Sequence, residues 1–180
     1  MKSLQNKTKL LILLSLVAGL SLQCEKKEED DNTALLALAA LTTSSGDCTV
    51  TAPPRASINT WQSAVTANGV ATISKMGSVP VVGHQTAALK ITAKNGTSVA
   101  LNGNSFVIVY QSSACPLTTS TRTGFTTTSL SDTNSEFTNS YTVSGSGSIN
   151  FTVAADYYIF FYAIPSRGQA ASVTYTVAGL

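Results

Sequence analysis

Apolar residues fall along this chain in three textures, and each texture predicts a different element. Residues 10–22, LLILLSLVAGLSL, form an uncharged, largely apolar run. Its length matches the hydrophobic part of an export signal and falls short of the roughly 20 apolar residues that a transmembrane helix needs. Residues 33–41, TALLALAAL, are a shorter patch of Ala and Leu, the best helix formers. Asn32 or Thr33 can cap it, but so short a helix is marginal alone. From Cys48 onward, short β-branched and aromatic runs alternate with Gly, Asn, Ser and Pro, the punctuation of an all-β domain.

Within that region the alternation predicts individual strands. One covers 49–52 and ends at Pro53-Pro54. Segment 57–66 holds Trp61, the single tryptophan, expected in the core. Asn68-Gly69 predicts a hairpin turn into a strand over 70–75. Asn95-Gly96 predicts another, between 87–93 and 97–101, because both turn positions need positive φ. FVIVYQ at 106–111 reads as a central strand. The Ser/Thr/Asn-rich stretch 112–139 reads as a long loop with one edge strand near Gly124-Phe125. Strands over 141–143 and 148–153 flank Gly145-Ser146-Gly147, read as a turn. YYIFFYAI at 157–164 is the most hydrophobic strand, and VTYTV at 173–177 closes the chain. About eight to ten short strands without a long helix predict an antiparallel β-sandwich or jelly roll.

Composition sharpens this picture. Charged residues make up 11% of the chain, against about 25% in typical soluble domains. Ser, Thr, Gly and Asn take their place, which suits exported β-proteins. The six bases after Cys48 (Arg55, Lys75, Lys90, Lys94, Arg122 and Arg167) are scattered in sequence. A nucleic-acid partner, which needs clustered bases, is therefore not expected.

The N-terminus reads as an address. MKSLQNKTK is basic, the apolar run follows, and Leu20-Ser21-Leu22-Gln23-Cys24 comes just before EKKEEDD. This join resembles the lipobox of bacterial lipoproteins. Leu20 stands one place too far out and Gln23 replaces the usual small residue, so it looks most like the looser lipoboxes of spirochaete lipoproteins. The resemblance implies removal of a signal peptide over 1–23 and acylation of Cys24, with palmitate-type chains inserted in a membrane. Plain secretion and an uncleaved anchor are the competing readings. Residues 24–47 then form a flexible, mainly acidic tether carrying the short Ala/Leu helix, and 48–180 form the β domain. Localisation at the cell envelope follows, with the outer membrane or cell surface preferred to the inner membrane. INFTVAADYYIFFYAI at 149–164 is similar to the end of some bacterial jelly-roll accessory domains, such as the pre-peptidase C-terminal type, which are often non-catalytic.

Few residues offer chemistry. Cys48 and Cys115 remain after Cys24 is acylated, and an even pair outside the cytoplasm predicts a disulfide. Free thiols or a bond to a partner are the alternatives; a zinc site lacks ligands, since His84 is the one histidine. A hydrolase would have to draw on His84, Asp132, Glu136 and Asp156, and no nucleophile motif accompanies them. Asp132, Asn134 and Glu136 space oxygen ligands as a calcium loop does, but without the glycine or later glutamate of an EF-hand, and a plain polar loop is the simpler reading. Tyr158, Phe160 and Tyr162 share one strand face. That face is either core, the preferred reading, or an exposed surface that stacks on sugar rings or a protein. No cofactor or metal is expected. The expected role is a lipid-anchored, non-enzymatic binding or adhesion module for a protein or glycan. A structural envelope component or accessory subunit is the alternative.

Overall fold

The structure, a computed structural model, describes residues 46–79 and 82–180. The expected export segment, Cys24 and the expected tether as far as residue 45, with the Ala/Leu helix expected in it, lie outside the described residues. The domain is all-β. Its strands are β1 (Cys48–Val50), β2 (Ile58–Thr60), β3 (Gln62–Val65), β4 (Gly69–Thr72), β5 (Gly77–Val79), β6 (His84–Ala93), β7 (Ser98–Gln111), β8 (Phe125–Thr128), β9 (Ser131–Asp132), β10 (Ser140–Phe151), β11 (Ala155–Ala163) and β12 (Thr174–Ala178). A 3-10 turn, Pro165–Arg167, leads towards β12. β1 and β2 form an antiparallel ribbon. The other ten strands join in one sheet whose main path runs β3-β6-β11-β7-β10-β8. β5 extends β6, β9 extends β10, and β12 bridges β7 and β4. Every pairing is antiparallel except β3 with β6.

β11 holds the middle because both of its faces are apolar. Tyr157, Ile159, Phe161 and Ala163 enter one core cluster, with Leu89, Ile91, Val107, Val109 and Val143. Tyr158, Phe160 and Tyr162 enter a second cluster on the opposite face. These three are at most 2% exposed. The notion of an exposed aromatic ligand face is therefore corrected: the β1–β2 ribbon, Leu117 and Phe137 pack over it. Leaving so much ring surface in water would be costly, at about 25 cal/mol per Å².

The covering layer is stitched to the sheet. Thr51 N–H donates to Leu117 O at 2.7 Å, and Leu117 N–H donates to Thr49 O at 2.8 Å. The Tyr110 hydroxyl donates to Thr51 O at 2.8 Å. Cys48 and Cys115 are bridged, closing a span of 67 residues. The bridge fastens the first strand of the ribbon to the chain leaving β7.

Several turns expected from sequence are not turns of the expected kind. β7 and β10 run unbroken beside each other, from Ser140 opposite Ile108 to Asn150 opposite Ser98. The glycines inside them mark a bend. Gly103 (φ +152°) faces Gly145 (φ +80°) in register, and the other edge of β7 passes there from β12 to β11. Val99, Leu101, Val107 and Val109 all reach the same cluster, so the bent pair wraps it. Glycine in a strand interior marks such bends. Asn68-Gly69 joins no hairpin, since β3 pairs with β6 and β4 with β12. At Asn95-Gly96 the chain does turn, with Thr97 N–H donating to Lys94 O at 3.1 Å, but β11 lies between β6 and β7. Trp61 is half-buried and belongs to neither core cluster; the Lys75 ammonium lies 4.9 Å from its ring centre.

Candidate functional site

The acidic loop is already satisfied from within. Arg122 donates to both carboxylate oxygens of Asp132, the Nη2–Oδ1 bond measuring 2.8 Å, and lies 4.8 Å from the centre of the Tyr141 ring. The Arg122 hydrogen bonds hold the Asp132 carboxyl down to about 2. Asn134 N–H donates to Asp132 Oδ1 at 3.0 Å, and the Asn134 side-chain oxygen accepts from Asn139 N–H at 2.7 Å. Glu136 accepts from Arg167 at 3.0 Å. Asp132 and Glu136 are thus each taken up by a different arginine, Arg122 and Arg167, which supplies the positive charge that a calcium loop would draw from a cation, and the plain polar loop is the reading that fits. Among the described residues no group of three His, Cys, Asp or Glu side chains is placed to hold a metal.

The acids considered for hydrolysis are not gathered around His84 either. Asp156 lies near the start of β11, opposite Thr92, and accepts from the Thr92 hydroxyl at 2.6 Å. His84 opens β6 beside the far end of β11, and its Nδ1 is hydrogen bonded to the Tyr162 hydroxyl at 2.5 Å. A phenol, not a carboxylate, orients this imidazole.

A cleft forms there. The chain turns at 52–55, with Arg55 N–H donating to Ala52 O at 3.0 Å, and Thr138 N–H holds Pro53 O at 2.8 Å. This places the Arg55 guanidinium 4.9 Å from the Phe137 ring centre and 5.2 Å from that of Tyr162. On the other side, Val82 and Gly83 N–H both donate to Val79 O, at 3.2 and 2.9 Å, and that turn delivers His84 to the sheet. Arg55, Ala56, Ser57, Ile58, Val79, Val82 and Tyr162 line the resulting cleft of about 370 Å³.

Its electrostatics follow from these neighbours. Partial burial, followed by repulsion from Arg55 and Arg167, lowers the His84 pKa, while burial raises that of the Tyr162 phenol. Both are therefore neutral near pH 7. The Tyr162 hydroxyl has one hydrogen-bond partner among the described residues. The tautomer that satisfies both groups has Tyr162 O–H donating to Nδ1, which puts the imidazole proton on Nε2. Lys75, Arg122 and Arg167 are paired with Asp47, Asp132 and Glu136. Arg55 forms no such pair with a described carboxylate.

A second, open groove of about 470 Å³ lies along β7, β10 and β12. It is lined by uncharged residues including Asn102, Thr128, Ser146, Ser148, Thr174 and Thr176. It contains no titratable side chain.

In the sequence Arg55 is one of several scattered bases and His84 is the one histidine. Nothing in PPRAS or VVGHQT announces their meeting, because the contact runs through Tyr162, far along the chain. No protein-family model matches this chain, and no curated protein matches it. Among solved structures it is similar to PliG of Aeromonas hydrophila, a periplasmic inhibitor of g-type lysozyme, with 11% identity over 65% of this chain and 96% of that one, at a TM-score of 0.32. At that score the likeness carries no functional argument.

Proposed function

We propose that this protein is an exported lipoprotein, acylated at Cys24 and held at the cell envelope, whose β domain is a non-catalytic binding module. The Cys48–Cys115 bridge is the observation that supports export best. Such bonds persist in chains that fold outside the reducing cytoplasm, and the apolar run and lipobox-like join precede this one in sequence. Among the described residues no helix is long and apolar enough to cross a membrane; in this reading two or three acyl chains supply the attachment, each buried CH₂ contributing about 0.8 kcal/mol. The acidic tether is the spacer, and the outer membrane or cell surface is the proposed destination.

The cleft favours binding over catalysis. His84 is partnered by a phenol that burial keeps neutral, and among the described residues no carboxylate is hydrogen bonded to its imidazole. Arg55, held beside two aromatic rings and without a carboxylate partner among the described residues, is a recognition group. Intact-mass analysis of protein from its native membrane tests the anchor. The expected product starts at acylated Cys24 and gains the mass of two hydrogens on reduction, and Cys24→Ser should move the chain from the membrane to the soluble fraction. An unmodified N-terminus would overturn the lipoprotein reading. Screening against protein and glycan panels tests the binding role, which fails if nothing binds at high micromolar concentration.

A further inference from the structure

We infer that the Arg55 cleft is a carboxylate site, taking a carboxylate carried on a small apolar body with the guanidinium as its two-pronged partner. The inference rests on the binding-module reading and names the ligand chemistry for that cleft.

The first argument is how Arg55 is held. Its guanidinium carbon lies 4.9 Å from the ring centre of Phe137 and 5.2 Å from that of Tyr162, and these rings are 0% and 2% exposed and so fixed in the core. Attraction of the cation to a ring uses no N–H hydrogen bond, and among the described residues the Arg55 guanidinium has no hydrogen-bond or carboxylate partner, so its N–H fork is left for a ligand. That fork matches a carboxylate, and a side chain already ordered loses little freedom when a ligand arrives.

The second argument is charge. Arg167, the other cation felt by His84, is offset by Glu136. Among the described residues one positive charge, that of Arg55, is left uncompensated beside the cleft, and His84 and Tyr162 are neutral. A single charge suits a monoanion better than a phosphate dianion. The third argument is the wall. Ile58, Val79 and Val82 line the cleft, with Val82 left 52% exposed. An apolar body beside the carboxylate would cover it. Ser57 adds a hydroxyl to the same wall.

The test is NMR titration of the full-length, ¹⁵N-labelled chain in detergent with isobutyrate, isobutanol and inorganic phosphate. Isobutyrate should shift the amide signals of residues 55–58 and 82–84 saturably, with the other two binding about tenfold more weakly or worse. Arg55→Gln should weaken isobutyrate about tenfold, and Arg55→Lys, which keeps the charge but not the fork, should fall between. Arg55 is exposed, so neither variant threatens the core. A short peptide with a free C-terminus, compared with a C-amidated peptide carrying an internal glutamate, distinguishes a chain end from an acidic side chain; binding of either supports the site. Equal binding of isobutanol or phosphate, or an unchanged Arg55→Gln variant, overturns the inference. If isobutyrate fails while a panel ligand binds, the carboxylate assignment falls and the binding role stands. If no panel ligand binds, the binding role falls as well.

Discussion

At the scale of single residues, two titrating groups act in separate pH windows. His84 has its pKa lowered by partial burial and by Arg55 and Arg167; its hydrogen-bond partner is the Tyr162 phenol, and Arg167 is itself paired with Glu136. The unfolded chain takes up the His84 proton first, at about pH 6.5. The unfolded state then binds more protons, so stability falls as pH drops below that point. Asp132 works by hydrogen bonds from Arg122, with a folded value of about 2. Its contribution is present above about pH 4 and is lost between there and the folded value. Urea midpoints measured across pH should therefore drop between pH 7 and 5, and His84→Gln should flatten that drop. A second drop, below about pH 4, should shrink in Asp132→Asn. If His84→Gln leaves the first drop unchanged, another group is responsible. Neither environment is legible in the sequence, where His84 and Asp132 are a lone histidine and one of a few acids.

At the scale of elements, β11 was the most legible part of the chain. Apolar residues on both alternating faces, as in YYIFFY, require cover on both sides, and the strand is central with a core cluster on each face. Phe160 is 0% exposed, so Phe160→Ala should lower the unfolding free energy by about 3–5 kcal/mol through lost transfer energy and a residual cavity. Val70 on β4 is 71% exposed, and Val70→Ala should change it by less than about 0.5 kcal/mol. Chemical denaturation of both variants checks the contrast, and similar losses would contradict the burial of β11. The glycine-containing elements were less legible. SGSGS and NGNS carry the composition of turns, yet they lie inside β10 and β7. Glycine permits a turn and a bent strand alike, and the choice depends on hydrogen bonding to a partner strand distant in sequence.

At the scale of the whole molecule, the disulfide ties the covering ribbon to the chain leaving β7. Closing a 67-residue span restricts the unfolded chain by roughly 4 kcal/mol in the entropy model, an upper expectation for the loss on reduction. Hydrogen exchange after mild reduction should show β1 and β2 losing protection before β6, β7 and β11. Uniform loss would mean that the ribbon and sheet open as one unit. The sequence by itself determined the all-β class, and it favoured the two-faced burial of β11 and the pairing of Cys48 with Cys115 over alternatives that the structure then closed. These follow from side-chain periodicity, hydrophobicity and the number of available thiols, which are local or countable properties. Only the tertiary structure decided that β11 separates β6 from β7, that the paired glycines bend one long strand pair, and that Arg55 and His84 both meet Tyr162 beside one cleft. Those outcomes depend on which strands pair across the chain and on the side chains that pairing brings together, and neither is encoded within any short window of residues.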